Sequence, residues 1–539
     1  MAEDLYGGQI TIYPPTPSRT RYRIRYYDTT GASRFTTGGS TLQEARARAA
    51  GLMGIATPER DRDHNAAPTA QQAFTAWLNV RKSGMSSRTV DNYEYTFNRR
   101  DHLHGVKINK LTPQMLSTID TTGMSRDTQK KIKSIWRQTL THHKAWLHYT
   151  PAELVDSIAV TGTRRADDRS QVDARIIPSL HYVHTLMARA WSTENAALDD
   201  ITTVTTPEGF HTTIPDEFTG MPEEFITDRM RKPKKHYRNT EHFTAAERAR
   251  VGKSFQSAAL IAALGSGALM RIGEVMALRI HHVLDDRAVR TILNLSPDHH
   301  EHDETYRVIN TFFTGRIRVD EQASAASKGR LVLSKTKGGR RRTTTLPSFL
   351  PTVDATGNLH TPPAERARGF SQHDALDYWM THNTPALRLM LISHLTNLFT
   401  QWRTRETTVE QARYTMLFPT STHARRAPEI TDGLNPAHHG PDPLTNGGYR
   451  TQANYSNHIA NPLYDYISAC LHEYPTTPDP TTKRDGYTHH GLRHLGISTQ
   501  LKAGRPVVDV SADAGHRDAG FTLARYSHLL RDAHAAWEF

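Results

Sequence analysis

The first 58 residues show the two-residue hydrophobic alternation of β-strands, followed by a helical pattern. Three stretches alternate in this way and predict short strands over residues 9–13, 21–27 and 33–37, with a turn at residues 28–31. Thr41 and Glu44 have the spacing of a capping box and predict a helix that runs to about Met53. Residues 1–58 are therefore expected to form a small α+β domain.

A polar linker leads to a second region, which has the periodicity of helices. Phe74, Trp77 and Leu78 form the apolar stripe of a first helix, and further helices are predicted to begin near Ser86 and Lys110. A long helix is predicted over residues 125–149, with apolar positions turned inward at Ile132, Ile135, Trp136 and Leu140. Residues 67–200 are expected to form an all-α domain.

The C-terminal half mixes helical patterns with a short pair of strands. An apolar helix is predicted before a break at residues 265–267, and Ile272 begins another helix. Residues 331–333 predict a strand, Gly338 and Gly339 a tight turn, and residues 343–346 the returning strand. Lys335 is thereby expected near the tip of a hairpin. Residues 241–539 should form a mainly α-helical domain with a small antiparallel sheet.

Composition narrows the class of partner. The chain carries 67 Lys and Arg against 55 Asp and Glu, a net charge of +12, with a pI near 9.6, which favours polyanionic partners. Its single cysteine, Cys470, excludes an internal disulfide and indicates a reducing compartment. Because no apolar run would span a bilayer and no signal-peptide core is present, we expect a cytoplasmic protein without membrane contact.

The candidate chemistry is concentrated near the end of the chain. His490, Arg493, His516 and Tyr526 supply two imidazoles, a guanidinium and a phenol within one short helical region, and Arg271 lies upstream. Arginine can form two hydrogen bonds to a phosphate, histidine can move a proton, and a phenol can act as a covalent nucleophile. This set suits attack on a phosphodiester.

Each of these residues alone has an ordinary structural explanation. An arginine in a helix is usually a solvated surface group, and any two residues three apart share a helix face. Tyr526 by itself would be a core aromatic with a solvated hydroxyl. Only the joint order of the residues along the chain favours a shared site.

Taken in order, six residues resemble the catalytic set of the tyrosine recombinase (phage integrase) family. They are Arg271, Lys335, His490, Arg493, His516 and Tyr526. The resemblance covers about the C-terminal half and implies cofactor-free cleavage and rejoining of double-stranded DNA through a 3′-phosphotyrosine. It also implies that residues 67–200 are a core-DNA-binding domain and that residues 1–58 are similar to an arm-type DNA-binding domain.

The chemistry of this reaction assigns a role to each charged group. Arg271 and Arg493 would stabilise the negative charge that grows on the attacked phosphate. Lys335, with Lys337 as the second choice, would protonate the leaving 5′-oxygen.

The remaining candidates would accept the proton of the nucleophile, contact the phosphate or orient the site. Tyr526 has an ordinary pKa of about 10 and therefore needs a proton acceptor, for which His490 is the candidate. His516 would hydrogen-bond the phosphate, and Glu274 would orient the site.

Two basic sets are candidates for DNA contacts beyond the catalytic residues. Alternating arginines around the predicted strand at residues 21–27 would share one face, although an ordinary solvated strand would look the same. They are Arg19, Arg21, Arg23 and Arg25. A basic run also lies in the linker of residues 201–240, where DNA phosphates would pass. It contains Arg231, Lys232, Lys234 and Lys235.

Relative to the family, two stretches of the catalytic domain are interpreted as insertions, near residues 286–325 and 351–412. The second contains an apolar helix, residues 385–402, which is either core or a partner surface. Residues 298–303 have the composition of a metal site, but they are interpreted as a solvated loop because no second ligand cluster is spaced to complete it. Neither a metal nor a cofactor is expected.

The favoured function is integrase-type recombination of a mobile element. The resemblance implies a homotetramer on DNA, joined through a short C-terminal tail that contains Leu529, Leu530 and Trp537. An excisionase or a host DNA-bending factor would be an accessory partner, and the protein would be associated with the nucleoid. Two alternatives are a monomeric DNA-relaxing enzyme that resembles type IB topoisomerases and a non-catalytic DNA-binding protein on the same scaffold. The short tail and the N-terminal sheet disfavour the first, and the intact set of reactive residues disfavours the second.

Overall fold

The computed structural model of the chain divides into two compact units, Met1–Thr163 and Arg164–Phe539. The residues that it describes are 3–5, 10–27, 33–52, 67–85, 87–98, 101–122, 124, 126–160, 171–192, 203–205, 211–213, 221, 245–295, 301–325, 331–337, 339–353, 359–360, 370–403, 407–423, 429–430, 447–476 and 485–530. These residues are mostly helical, with small and mainly antiparallel sheets, as the sequence predicts.

The described part of the first unit contains a four-stranded sheet followed by helices. Its strands are β1 (Glu3–Leu5), β2 (Ile10–Tyr13), β3 (Tyr22–Tyr27) and β4 (Ser33–Gly39). Its helices are α1 (Leu42–Leu52), α2 (Ala70–Arg81), α3 (Ser87–Asn98), α4 (Pro113–Ser117), α5 (Arg126–His142) and α6 (Pro151–Asp156).

The N-terminal sheet is antiparallel, in the order β1-β2-β3-β4, and α1 covers one face. Thr41 and Glu44 form the predicted cap of α1, since the Glu44 backbone N–H lies 3.2 Å from the Thr41 hydroxyl. The three predicted strands are present, and β1 adds a fourth. The sequence did not reveal β1 because three residues are too few to show an alternation.

The four arginines of this region do not share one strand. Arg23 and Arg25 lie on β3 with their side chains on the face opposite buried Ile24, and the guanidinium of Arg23 stacks on Phe35 at 3.9 Å. Arg19 precedes the strand, in a turn where its side chain donates to backbone carbonyls. The predicted arginine face is therefore reduced to Arg23 and Arg25.

The helical part of the first unit packs around the predicted stripe, because Phe74, Trp77 and Leu78 are all buried. The long helix, α5, ends at His142, earlier than expected, and a 3-10 turn follows at Lys144–Trp146. The boundary of the unit falls at Thr163 and not near residue 200. The reason is that the next helix, α7 (Leu180–Ser192), packs into the core of the second unit.

The described part of the second unit has one large core, a smaller apolar cluster around Tyr526 and five small sheets. Its further helices are α8 (Ala245–Ser266), α9 (Ile272–Val275), α10 (Asp286–Leu293), α11 (Glu301–Phe312), α12 (Gln372–His382), α13 (Leu387–Arg403), α14 (Val409–Tyr414), α15 (Gln452–Tyr455), α16 (Asn461–Leu471), α17 (His489–Lys502), α18 (Val507–Ala514) and α19 (Ala519–Leu530). Its strands are β5 (Thr203–Thr205), β6 (His211–Thr213), β7 (Arg316–Val319), β8 (Glu321–Ala325), β9 (Leu331–Lys335), β10 (Arg342–Thr345), β11 (Thr352–Val353), β12 (Leu359–His360), β13 (Pro419–His423), β14 (Glu429–Ile430) and β15 (Gly447–Tyr449). Helix α8 packs against both α7 and α17.

The strands around Lys335 are paired differently from the predicted hairpin. β8 pairs with β9, with Glu321 opposite Lys335, and β7 pairs with β10, with Val319 opposite Arg342. β9 and β10 are therefore not partners of each other, but the predicted tight turn is present directly after Lys335, where the Gly339 N–H donates to the Thr336 carbonyl at 2.7 Å. The predicted pairing is wrong because the true partner strands, β7 and β8, lie in the stretch that was interpreted as an insertion.

Both stretches interpreted as insertions contribute to the core of the second unit. Val289 and Ile309 are fully buried in the first stretch, and Leu391 and Leu395 of α13 are fully buried in the second. Helix α13 is therefore core and not a partner surface.

The metal-like run at residues 298–303 is only partly described. Residues 301–303 begin α11, so the loop prediction is wrong for these three, and the others lie outside the described residues. Across the described ranges, no group of three His, Cys, Asp or Glu side chains is placed to hold a metal ion. The described helices also include none with the length and apolar character needed to cross a bilayer.

The crossing of α17 over the end of α8 leaves room only for glycine at position 496. A Cβ atom there would lie 2.8 Å from Leu269 Cδ2 and would collide with the Ser266 carbonyl. We expect Gly496→Ala to lower the free energy of unfolding by about 1–3 kcal/mol, as overpacking of a core does, measured by urea denaturation. In Gly105→Ala the new Cβ meets nothing within 4 Å, so the change should stay within about 0.5 kcal/mol. Equal stability of the two variants would contradict the close crossing.

Candidate active site

The candidate site begins where α8 ends and the chain reverses into the short helix α9. Leu269 has a positive φ of 56° in this reversal, and Arg271 is the N-cap residue of α9. The Arg271 backbone N–H donates to Glu274 Oε2 at 2.8 Å, and its Nη1 lies 3.0 Å from Oε1. The backbone and the guanidinium of Arg271 are thus held by one carboxylate, which fixes the direction of the side chain.

Glu274 is a buried carboxylate shared by two arginines. Its side chain is fully buried, and Arg342 of β10 forms two parallel bonds to it, at 2.9 and 2.7 Å. Burial raises the pKa of Glu274, but the hydrogen bonds from Arg342 and the charges of Arg342, Arg493 and Arg271 outweigh burial and lower this pKa to about 2. The carboxylate therefore stays ionised and holds Arg271 and Arg342 together.

Arg493 lies on α17 and is 1% exposed. Its guanidinium donates to the carbonyl of Leu269 and, at 2.5 Å, to the carbonyl of Ala514. Burial lowers the pKa of Arg493 to about 9, and the neighbouring Arg271 acts in the same direction. Arg493 is still a cation at neutral pH, and it joins the α8–α9 reversal to the end of α18.

His516 follows the left-handed Gly515 that ends α18, and it links Arg493 to the last helix. Its Nε2 lies 3.4 Å from Arg493 Nη2, and its Nδ1 lies 2.8 Å from the Thr522 hydroxyl. Burial and the positive charges of Arg493 and Arg271 lower the pKa of His516 to about 3. The ring is therefore neutral, and it accepts at Nε2 because Arg493 can only donate.

Tyr526 lies on α19 and points into the protein. It is 1% exposed, and its hydroxyl lies 2.6 Å from His494 Nδ1. Burial raises the pKa of Tyr526 to about 12, while burial and the nearby His490 and Arg493 lower the pKa of His494 well below its ordinary value. Both groups are neutral at pH 7, so a hydrogen bond between neutral groups joins the phenol to the imidazole, and the tautomer of His494 decides which of the two donates. The ring of Tyr526 also stacks near His516, with centroids 6.3 Å apart.

His494 is a site residue that the sequence analysis missed, and it occupies the place expected for His490. The ring of His490 lies 4.2 Å from the ring of His494, on the same face of α17. The spacing of four residues between them is a signal that could have identified the second imidazole. Arg342 was missed as well, since nothing in its local sequence shows that β10 faces Glu274.

The general-acid candidates occupy a different element from the arginine and histidine cluster. Lys335 ends β9, and its carbonyl accepts from Gln322 Nε2 at 3.1 Å. Lys337 follows at the beginning of the segment that leads to β10. The structure thus brings together Arg271, Glu274, Arg493, His516 and Tyr526 through direct contacts, with His490 beside them. The basic run at Arg231, Lys232, Lys234 and Lys235 lies outside the described residues.

Comparisons with known proteins give only distant likenesses. No model of a known protein family and no curated protein matches the sequence. Among solved structures, the chain is similar to the integrase of transposon Tn1549 in complex with a circular intermediate DNA, at 12% identity over 87% of this chain and 98% of that chain, with a TM-score of 0.41. It is also similar to the XerH site-specific recombinase bound to a palindromic difH substrate, at 12% identity over 88% of this chain and 86% of that chain, with a TM-score of 0.35. Likenesses of this size support no conclusion about activity.

The buried carboxylate predicts a characteristic dependence of stability on pH. The pKa of Glu274 is about 2 in the folded protein, below the ordinary value of 4.5, so its contribution is complete above pH 4.5 and is lost as the pH falls toward 2. We expect Glu274→Gln to lower the free energy of unfolding by about 3–5 kcal/mol at pH 7, because a buried charge pair loses one partner. The difference from the wild type should shrink below pH 4.5 in urea denaturation.

The matched control is Glu410→Gln, which changes an exposed carboxylate at the beginning of α14. It should leave the free energy of unfolding nearly unchanged at pH 7 and at pH 3. A Glu274→Gln deficit that is the same at pH 7 and pH 3 would show that the carboxylate is not held ionised by the arginines.

Proposed function

We propose that this protein is an integrase-type site-specific DNA recombinase that cleaves and rejoins DNA through Tyr526. The observation that carries the proposal is that Arg271, Arg493, His516 and Tyr526 lie together in one largely buried cluster, in which the Arg271 side chain is still 28% exposed. Arg271 reaches the cluster through the Gly515 carbonyl, 3.3 Å from its Nη2. Two guanidiniums, an imidazole and a phenol at one place suit a phosphodiester as substrate and not a carbonyl or a sugar.

The proposed reaction is a transesterification. The Tyr526 oxygen forms a bond to the phosphorus, and the bond from phosphorus to the 5′-oxygen breaks. This leaves a 3′-phosphotyrosine and a free 5′-hydroxyl. The same steps in reverse, with the 5′-hydroxyl of a partner strand, restore the DNA. Because each step exchanges one phosphodiester for another, the reaction requires no nucleotide or cofactor.

The guanidiniums provide the electrostatic part of catalysis. Negative charge grows on the nonbridging oxygens during attack, and Arg271 and Arg493 are cations already fixed by Glu274 and by backbone carbonyls. His516 would contact the same phosphate from the side of α19. Arg342 is proposed as a positioning residue, since both of its bonds to Glu274 hold the carboxylate that fixes Arg271.

Proton transfer is assigned to groups around the nucleophile. His494, with its strongly lowered pKa, is a poor base and keeps Tyr526 as a neutral phenol in the conformation described. His490 is proposed as the acceptor once the phenol leaves His494 for the phosphate. Lys335 is proposed as the acid that protonates the 5′-oxygen, with Lys337 as the alternative.

The first unit is proposed to supply binding to the DNA backbone and grooves. The exposed face of the N-terminal sheet carries Arg23 and Arg25, and the basic run in the linker would contact phosphates. We further propose a homotetramer on DNA, joined through the C-terminal tail, which lies outside the described residues beyond Leu530. An excisionase or a host DNA-bending factor would act as an accessory partner on nucleoid DNA.

A nicked suicide substrate that carries the end of the element tests the covalent step. The wild-type protein should form a covalent protein–DNA adduct on a denaturing gel, and Tyr526→Phe should form none, because the nucleophilic oxygen is absent. Tyr474→Phe is the matched control, since Tyr474 is 54% exposed and lies outside the cluster. Adducts that persist in Tyr526→Phe would refute the assignment of the nucleophile, and DNA binding without any adduct would favour the non-catalytic alternative.

Replacement of a fixed guanidinium tests the electrostatic role. We expect Arg493→Lys to lower the rate of adduct formation about 100-fold or more, because an ammonium cannot hold the two backbone carbonyls and the phosphate together. Affinity for DNA, measured by gel shift, should fall far less, since one cation among many is retained. Arg307→Lys changes an arginine whose side chain is 76% exposed and should leave both values unchanged. Parallel losses of affinity and rate in Arg493→Lys would contradict a role in the transition state.

A further inference from the structure

The segment that leads from the first unit into the second is bonded directly to the helix of Tyr526. Val172 donates its backbone N–H to the Arg525 carbonyl at 2.9 Å, and its own carbonyl accepts from His528 Nε2 at 2.8 Å. These two bonds hold α19 on both sides of Tyr526 in sequence. Val172 lies only a few residues after the division between the units, at Thr163 and Arg164.

The same segment also packs on the apolar cluster that surrounds the phenol. Val172 is 2% exposed and belongs to one buried cluster with Tyr526, Leu269 and Ile497, and the half-buried Ile177 packs against it. A little further along, the Ile176 carbonyl lies so close to α17 that a Cβ atom on Gly491 would be 2.7 Å from it. The segment of residues 172–177, here called the strap, therefore contacts both α17 and α19.

The described position of Tyr526 is not one from which it can attack. The phenol is 1% exposed and is hydrogen-bonded to His494, so a phosphate in solvent or on DNA cannot reach it. For attack, α19 has to move relative to α17. Such a movement has to break the bonds of Val172 to Arg525 and His528, because they tie α19 to the strap.

We propose that the strap is an autoinhibitory contact, which keeps Tyr526 buried until DNA binding by the first unit displaces the strap from α19. The proposal rests on the proposed role of Tyr526 as nucleophile. The second unit begins at Arg164 and the strap is its first described segment, so a rearrangement of the first unit on DNA would reach α19 through the strap. The partner that releases the nucleophile is therefore double-stranded DNA bound to the first unit.

Chemical accessibility of Tyr526 tests the strap without requiring any activity. The full-length protein is nitrated with tetranitromethane in the absence of DNA, and the Tyr526 peptide is quantified by mass spectrometry. His528→Phe keeps an aromatic ring but removes the bond to Val172, and His528→Ala removes ring and bond. Nitration of Tyr526 should rise about fivefold in both variants, because the loss of one hydrogen bond raises the population with an exposed Tyr526 by about this factor. The matched control, His458→Ala at an exposed histidine, should show no change.

A purely structural role would give a different result. In that case, Tyr526 nitration would rise only in proportion to a fall in the midpoint of urea denaturation, and buried Tyr182 and Tyr455 would be nitrated with it. Unchanged nitration of Tyr526 in both His528 variants would overturn the proposal. Addition of DNA to the wild type should speed hydrogen exchange at the Val172 amide, because release breaks its bond to the Arg525 carbonyl, and unchanged exchange would overturn DNA as the release signal.

Adduct formation on the suicide substrate then separates the strap from the proposed function. If His528→Phe exposes Tyr526 and forms adducts faster than the wild type at subsaturating DNA, both proposals stand. If Tyr526 becomes exposed but the adduct forms more slowly, the strap positions the nucleophile for attack and the inhibitory role is refuted. If Tyr526 becomes exposed and no protein forms an adduct, the strap still controls the burial of Tyr526, but the proposed recombinase function fails and the inhibitory role fails with it.

Discussion

The candidate site depends on one buried carboxylate. Glu274 receives two bonds from Arg342 and two from Arg271, and its charge also acts on Arg493. Without this anion, neighbouring guanidiniums would repel one another in a region of low dielectric, and each would turn toward solvent. With the anion present, the cations are fixed before any substrate arrives. A phosphate that enters the site would therefore meet guanidiniums that require little reorganisation, and only the helix of Tyr526 would have to move.

Burial and positive charge act in opposite ways on the arginines and the histidines of this cluster. Arg493 has so high an ordinary pKa that it remains a cation even when burial lowers this pKa to about 9. The ordinary pKa of a histidine lies near neutral pH, so burial and the nearby positive charges lower the pKa of His516 and His494 far enough to leave both rings neutral. The site therefore combines permanent cations with neutral imidazoles. A bound phosphate would add negative charge and raise the pKa of these histidines, which makes proton transfer dependent on the presence of substrate.

The sequence predicts which residues meet in the cluster better than it predicts their partners. It placed the last residues of the set in a helical region, where α17 and α19 lie, and the order of residue types singled out Arg271, Arg493, His516 and Tyr526, which the fold brings together. Arg342 and the pairing of β7 with β10 depend on contacts between distant segments, which no local pattern records. His494 was visible beside Arg493, but only the fold shows that its ring, and not that of His490, meets the phenol. The strap was hidden for the same reason, since its bonds use backbone atoms of Val172 and leave no side-chain signal.

A nucleophile that forms covalent bonds with DNA is hazardous to the cell if it is active on every duplex. Burial of Tyr526 opposes this in two ways, because the hydroxyl is out of reach and its pKa is raised to about 12. In the proposed reaction, both effects would end when the phenol leaves His494 and becomes accessible, and Arg493 and Arg271, whose charges already lower the pKa of Tyr526, would favour the phenolate. One movement of α19 therefore changes access and reactivity together. Because α19 is bonded to Val172 near the beginning of the second unit, the proposed release by DNA would make DNA binding and the accessibility of Tyr526 parts of a single equilibrium.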